Sequence, residues 1–598
     1  MGTTPHTLTA VAERPAVKHP KYRKTLKPFK SAGGRTTSRR RLNPTSGLFI
    51  LSILLLLYFV AFPIAGMFVQ SLRDTEGGLT LGNYADFVTS ERLMRATLNT
   101  IVVSVATGVG SVLIATPLAF GVARTNMWGK GLVRFAVLVC FASPPFLMTL
   151  AYIFIAGPNA GYLNVLLRSA FGLNTTEGPI DVFSLGGFVL LAVPHAVALV
   201  FVMMLPAFGT MDASLEEASR IAGAGPLQTV WRISLPTMRA AMMAGGLLTF
   251  SHALAMYATP QILGIDVLTV SMRRSILIDG DFGQAATIAA VSAVLSMTVL
   301  YFYRRSVSAG MRYQTITGKG LRIASLDLRR GRHLLGSIGL LYAVFGALMP
   351  YSLMIAISFM KVPTGGLVAS NLTFANYGTI LGDHTVRLAL YNSLILGVGA
   401  ATVISVLGFL LAYIVTKTEL RGRAWVDYLT VLPLGIAGTA FAVGVIVTNL
   451  ETSARALGLY ASVWILLAAY IGRYIPFGMR TAQVALLQVS RELGEASRVS
   501  GASQLRTLWH IALPLVRAGV SYAWILAFVQ AFAEVSASAI LAGPTTQVSA
   551  IALIGLWQGT DGLQCASALG VLMFLLTMSL VVLAQRLGGQ SIVPRNAS

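Results

Sequence analysis

Charge is scarce in this chain, and acid is scarcer. Only 11% of its 598 residues are Asp, Glu, Lys or Arg, where a soluble domain carries about 25%. With 55% hydrophobic residues beside that shortage, a soluble globular protein is excluded. Cysteine numbers two, Cys140 and Cys565, both inside apolar runs. No disulfide framework or metal-site spacing can be built from them, and each reads as a small core residue. No G-x4-G-K-S/T sequence occurs; Gly129-Lys130-Gly131 and Gly318-Lys319-Gly320 lack the spacing, so the chain does not hydrolyse ATP by itself. No H-E-x-x-H, G-x-S-x-G or Cys/His cluster is present, which leaves an enzymatic reading without support. The first apolar run begins only near Gly47, behind a basic tail, so no secretory signal peptide is expected at the N-terminus.

What the chain does have is positive charge, 45 Lys and Arg against 22 acids, for a net +23. Such an excess invites a nucleic-acid reading, but its distribution rules against one. Residues 1–45 hold eleven Lys/Arg and one acid, Glu13, and residues 303–333 hold eight and one, Asp327. Both blocks flank apolar runs, the pattern of positive-inside topology. The tail is expected to stay in the cytoplasm, largely without fixed structure, as a topology anchor that touches anionic lipid.

A membrane helix needs about 20 apolar residues. By that measure twelve spans are expected, near 47–70, 97–121, 132–156, 184–208, 237–260, 284–303, 334–360, 389–414, 424–449, 460–480, 515–541 and 563–586. With the N-terminus inside, the inside segments hold 34 Lys/Arg and the outside loops 9. The expected product is an all-α polytopic membrane protein with both termini cytoplasmic.

The chain also repeats itself. Residues 217–239, EASRIAGAGPLQTVWRISLPTMR, return as 495–517, EASRVSGASQLRTLWHIALPLVR, at an offset of 278 without a gap. Further upstream, Asn83-Tyr84 matches Asn376-Tyr377, Asn99 matches Asn392 and Gly129 matches Gly422, at an offset of 293. The first half therefore carries 15 extra residues, expected within 157–183. Each half is read as a six-helix unit in the same orientation, a parallel repeat about an axis along the membrane normal. The expected division is a basic tail over 1–45, a first half over 46–303, a cytoplasmic linker over 304–333, a second half over 334–587 and a short tail over 588–598.

Charge places both repeated segments in the cytoplasm, after spans four and ten. Glu217 and Glu495 are expected to open a short helix, where a carboxylate suits the positive end of the helix dipole, within ion-pair reach of Arg220 and Arg498. Gly223 and Gly501 permit a sharp reversal. Short amphipathic pieces follow, with Leu227, Val230, Trp231 and Ile233 in one copy and Leu505, Leu508, Trp509 and Ile511 in the other. Pro236 and Pro514 suit the first turn of the next membrane helix.

The pattern EAS-x3-G-x9-I-x-L-P resembles the EAA loop of ABC importer permeases of the type I fold. It covers Glu217, Ala218, Ser219, Gly223, Leu235 and Pro236, and again Glu495, Ala496, Ser497, Gly501, Leu513 and Pro514. Ser stands at the third position where the family motif has Ala. The resemblance implies coupling helices that sit on two separate ATPase subunits, which would hold the ATP and Mg, and an extracytoplasmic substrate-binding protein on the other face. Two halves on one chain resemble the ferric-iron importer permeases, through GPNAGYLNVLLRSAFGL in the first half and AEVSASAILAGPTTQVSAIAL in the second. Polyamine, thiamine and phosphonate importers are the alternatives for cargo.

Three ionisable residues fall at membrane depth. His195 and Arg473 occupy equivalent positions in spans four and ten, and Glu534 lies in span eleven. Such residues face a cavity or a partner, so His195 and Arg473 read either as lining the passage or as satisfied core groups, and Glu534 as a candidate attraction for a cationic cargo. Pro144-Pro145, Pro194, Pro433 and Pro476 mark kinks or breaks. The polar segments 261–283 and 542–562 are expected as an outer gate or as plain loops. The rival class is an ion-coupled secondary transporter, which needs acids at mid-membrane; Glu534 is essentially alone there. A receptor or scaffold would not need near-symmetric halves.

Overall fold

The computed structural model describes residues 44–74, 76–209, 211, 213–311, 326–328, 330–363, 368–451, 462–559 and 562–588. The basic tail up to Asn43, half of the 304–333 linker and nearly all of the C-terminal tail lie outside the described residues. The described chain is helical, and its only strand-like pairings are isolated bridges.

Among the described residues, eight helices are long and apolar enough to cross a bilayer unbroken: Gly47–Ser71, Glu91–Arg124, Leu185–Gly209, Phe282–Tyr303, Gly331–Ser358, His384–Lys417, Gln504–Phe532 and Gly562–Leu583. Two of the expected spans, 132–156 and 424–449, are broken instead. Lys130–Ala142 and Pro145–Ala156 meet at 109°, and Arg423–Gly435 and Gly438–Asn449 at 113°. A residue before proline is pushed out of the helical region. Ser143 (ψ 145°) and Pro144 (ψ 133°) both precede a proline and are both extended, which breaks the first span. In the second, a turn over Leu432–Gly435 that contains Pro433 runs into extended Ile436. Pro194 and Pro476, by contrast, lie inside continuous helices. The remaining two expected spans are Leu235–Leu254 and Val463–Leu487, of 20 and 25 residues. Arg239 and His252 in one, and Arg473 and Arg480 in the other, make these the least apolar of the set.

The expected spans 237–260 and 515–541 also run too far. Their helices stop at Leu254 and Phe532, and the chain continues in short helices, Ala258–Leu263 and Ser538–Leu541. The following polar segments are not plain loops, since each carries a ten-residue helix, Leu268–Leu277 and Ser549–Gln558. The 157–183 stretch contains the helix Tyr162–Phe171.

Proline also explains a feature that recurs four times. The π-turns Leu57–Ala61, Val230–Ser234, Val344–Leu348 and Leu508–Ala512 each run directly into a residue followed by proline: Pro63, Pro236, Pro350 and Pro514. Proline has no N–H to give and its ring crowds the carbonyl four residues back. The chain answers by widening one turn, so that Phe62, Leu235, Met349 and Leu513 each donate to the carbonyl five residues earlier. In this way the helices bulge without breaking.

The repeat is faithful down to single hydrogen bonds. Glu91–Arg124 and His384–Lys417 both have 34 residues, and each packs against its partner helix, Leu185–Gly209 and Val463–Leu487. Asn83 donates to the carbonyl of Arg73 (2.8 Å) and Asn376 to that of Met360 (2.8 Å), while Tyr84 and Tyr377 each meet a serine hydroxyl at 2.8 Å. Asn99 holds the carbonyl of Asp266 and Asn392 that of Gln547, just before the ten-residue helices. Gly129 and Gly422, at φ +75° and +91°, make the same left-handed turn into the broken spans.

The halves exchange their first helices. Phe62–Ser71 packs on Gly438–Glu451 of the second half, and Met349–Ser358 on Pro145–Ala156 of the first. Small residues allow the close crossing. A Cβ on Gly444 would stand 2.3 Å from the carbonyl oxygen of Pro63, and one on Gly66 2.0 Å from a methyl of Thr448. Gly444→Ala should therefore lower stability by about 1–3 kcal/mol, read as a fall in Tm in detergent. Gly378→Ala, whose new methyl meets nothing within 4 Å, should not lower it.

Candidate functional site

Each repeated loop is built the same way. In the first, helix Ala213–Ile221 ends at Gly223 (φ +82°), and Pro226–Thr229 leads through the π-turn Val230–Ser234 into Leu235–Leu254. In the second, Arg491–Val499 ends at Gly501 (φ +81°), and Gln504–Thr507 leads through Leu508–Ala512 into Leu513–Phe532. The amides of Ala224 and Ala502 close each turn on the carbonyls of Ser219 and Ser497, at 3.0 and 3.1 Å. Side chains then clasp the two arms: Ser219 meets Thr229 at 2.9 Å and Ser497 meets Thr507 at 2.8 Å. The serine at the third motif position thus has a structural use that an alanine would lack. Its threonine partner escaped the sequence reading, although both threonines share the 278 offset.

Glu217 and Glu495 do not open their helices. They sit in mid-helix, and the first-turn acids are Glu216 and Glu492, so the helix-dipole reason for Glu217 and Glu495 does not hold. Both motif glutamates are exposed, as are Ala218, Ala496, Pro236 and Pro514, while Leu235 and Leu513 are half-buried. The side chains of Arg220 and Arg498, their expected ion-pair partners, lie outside the described residues. Beside the glutamates, Ile221 and Val499 are 88% and 89% exposed, and Trp231 and Trp509 are 66% and 43% exposed. Apolar groups left bare at a polar end of the bundle form a surface that the chain itself does not cover.

Behind the first loop lies a buried ion pair. The guanidinium of Arg124 reaches Glu216 at 2.7 Å and donates to the carbonyl of Met211 at 3.1 Å, and the hydroxyl of Ser234 donates to Glu216 at 3.0 Å. The side chain of Arg124 is fully buried. At the matching positions of the second half, Lys417 donates to the carbonyl of Val489 at 2.5 Å. Glu216 and Ser234, however, are matched by Gly494 and Ala512. The sequence comparison could not find Glu216, because the acid has no partner in the other copy.

The membrane-depth residues fall into two pairs, Glu534 with Arg473 and His195 with His252. Glu534 faces Arg473 at 3.4 Å, accepts from the hydroxyl of Tyr474, and accepts from the amide of Ala537 at 2.7 Å. With three donors on it, Glu534 anchors the turn into Ser538–Leu541. The guanidinium of Arg473 also packs against Gly438, where a Cβ would overlap it. His195, 6% exposed, stacks on His252 with ring centroids 5.3 Å apart. His252, in the last turn of Leu235–Leu254, is a second membrane histidine that the reading from repeats passed over, since Gln530 stands at its counterpart. Cys140 and Cys565 are buried thiols that take part in no disulfide. Among the described residues, no group of three or more His, Cys, Asp and Glu is placed to hold a metal.

Residues 111–313 and 404–592 each match the family described as binding-protein-dependent transport system inner membrane component. The chain belongs to that family. The match falls once in each half and takes in both loops. The chain is 24% identical over 558 residues to the ferric transport system permease protein FbpB of Actinobacillus pleuropneumoniae, covering 92% of this chain and 79% of that protein. It is 25% identical over 505 residues to the putative ferric transport system permease protein FbpB 1 of Haemophilus influenzae, covering 83% and 78%. The putative 2-aminoethylphosphonate transport system permease protein PhnU of Salmonella paratyphi A is 29% identical over 270 residues, 44% of this chain and 92% of that protein. This is a multi-pass ABC importer permease with both transmembrane halves fused, all helical, as its loops implied.

Removing one member of a buried ion pair strands the other charge, at a cost of about 3–5 kcal/mol. Glu216→Leu should therefore lower the Tm of the permease more than the double variant Arg124→Met/Glu216→Leu does. Equal losses in the single and double variants would show that the pair contributes nothing.

Proposed function

We propose that the permease passes ferric iron, delivered by an extracytoplasmic binding protein, through the membrane under the drive of two ATPase subunits. The subunits dock on residues around 215–236 and 493–514, and ATP and Mg are held by them and not by this chain. Both chain termini lie on the cytoplasmic side. The observation that carries this reading is the pair of identically built loops. Each is a rigid, clasped arm with bare apolar side chains, and each continues without a joint into a membrane helix. A displacement of the loop is therefore a displacement of Leu235–Leu254 or Leu513–Phe532. Closure of the ATPases would draw the loops together and rock the halves between inward-open and outward-open states, a rigid-body change. Coupling of this kind is reciprocal, so loaded binding protein also alters ATP hydrolysis.

Iron as cargo is supported by relatives named for ferric transport that align along most of the chain, across both halves. The engaged state of Glu534 fits a permease whose selectivity lives in the binding protein and not in an internal cage. It also speaks against ion coupling, which needs a free acid at that depth. The second reading for cargo is 2-aminoethylphosphonate, favoured by the relative that aligns over 44% of the chain.

The test is reconstitution of the permease with its ATPase and binding protein in liposomes, with ferric uptake measured with and without ATP. A β-branched residue in the left-handed region is strained by about 1–2 kcal/mol or more. Gly223→Val together with Gly501→Val should thus abolish uptake and ATPase recruitment while the chain still inserts. Uptake that persists in that variant, or that an ion gradient alone drives, would overturn the ABC coupling. A binding protein that takes up the phosphonate and ignores iron would shift the cargo to the second reading.

A further inference from the structure

Beside the second loop lies a cavity of about 560 Å3, a size within the ~300–1,000 Å3 of small-molecule sites. It occupies the place that the first half fills with Arg124, Glu216 and Ser234. Three changes open it: Lys417 replaces the arginine, Gly494 the glutamate and Ala512 the serine, and all three line the cavity. The wall has room for a side chain at Gly494, since a Cβ there would meet nothing within 4 Å.

The walls divide by chemistry. Phe49, Ile53 and Tyr413 make an apolar side. Phe49 and Ile53 belong to the first membrane helix, and the neighbouring Ile50, Leu51 and Leu54 are 47%, 52% and 56% exposed, as side chains that face acyl tails would be. The polar side holds two cations, Lys417 and Arg421, and two carboxylates, Glu419 and Glu495. Such a balanced set offers no net attraction to a simple anion or a simple cation. It complements a molecule that carries both signs a few ångströms apart and an apolar body below them.

We propose that this cavity is a binding site for an aminophospholipid from the leaflet on the side of the loops. Its phosphate lies toward Lys417 and Arg421, its ammonium toward Glu419 and Glu495, and its acyl chains along the Phe49–Ile53 face. Glu495 belongs to the repeated motif, so the lipid touches the second loop directly and the first loop has no such ligand. The site shares Glu495 and its neighbours with the proposed ATPase dock, but retention of the lipid is read on the permease alone, with no ATPase and no cargo present.

The experiment uses the full chain purified in detergent from vesicles of equal phosphatidylethanolamine, phosphatidylcholine and phosphatidylglycerol, with retained lipid counted by native mass spectrometry. The chain should keep one phosphatidylethanolamine through a wash that strips the other two. Phosphatidylcholine has the same phosphate but no ammonium hydrogens to donate, and phosphatidylglycerol has no ammonium at all. Gly494→Glu, which puts a carboxylate where Glu216 stands in the first half, should lose that lipid, and so should Lys417→Gln/Arg421→Gln. Gly378→Ala should keep it. Equal retention of the three headgroups, a preference for phosphatidylglycerol, or an unchanged count in Gly494→Glu would overturn the proposal. Should Gly494→Glu fail to fold, the Lys417→Gln/Arg421→Gln count decides the matter alone.

Discussion

Hydrocarbon supplies no hydrogen-bond partners, so every peptide group at membrane depth must find one within the protein. Most of the irregular features of this chain are answers to that demand. Where a proline withholds an N–H, a helix widens by one residue and keeps its carbonyls occupied, as it does before Pro63, Pro236, Pro350 and Pro514. Where the helix stops altogether, after Phe532, a carboxylate takes the buried amide of Ala537 and is itself balanced by Arg473. Where the polar end of the bundle turns back on itself, Asn99 and Asn392 occupy the carbonyls before the next helix. A charge at depth is in this sense part of the backbone's bonding as much as a sign of transport.

The same demand separates what was legible in the sequence from what was not. Twelve apolar segments, their doubling and the repeated loops follow from periods and offsets, which survive in a single chain. The 110° bends do not, because a run of apolar residues has the same hydropathy whether or not it is straight. Ser143-Pro144-Pro145 gave a local warning, yet Pro194 and Pro476 look equally disruptive and sit in continuous helices. Whether a proline bends a span depends on which neighbours take up the freed groups, and that is tertiary information. The surroundings of Glu534 were hidden for a related reason: its partners Tyr474 and Arg473 lie some 60 positions away in the chain.

Matching the halves worked for residues that serve both, such as Gly223 and Gly501 or the Asn-Tyr pairs, and failed for residues that serve one. Glu216, Ser234 and His252 each face a different residue type in the second copy, so the comparison discarded them. Duplication followed by divergence leaves shared machinery conspicuous and specialised machinery hidden. The pair Arg124–Glu216 shows the consequence, since Arg124 on its own is indistinguishable from any positive charge at the inside end of a span.

That divergence gives the two loops different mechanical ties to the bundle. The first is bound to the end of Glu91–Arg124 by a buried ion pair with a supporting hydroxyl, and stranding either charge costs about 3–5 kcal/mol. Over the motions of a transport cycle, that loop and that helix move as one body. In the second half, the bond from Lys417 to Val489 holds the chain before the loop; a hydrogen bond from a charged donor contributes roughly 1.5–3 kcal/mol. That loop has Gly494 and Ala512 where the first has Glu216 and Ser234, and it is the one with a cavity against it. Two arms closed by the same clasp are thus tied to the bundle through different groups.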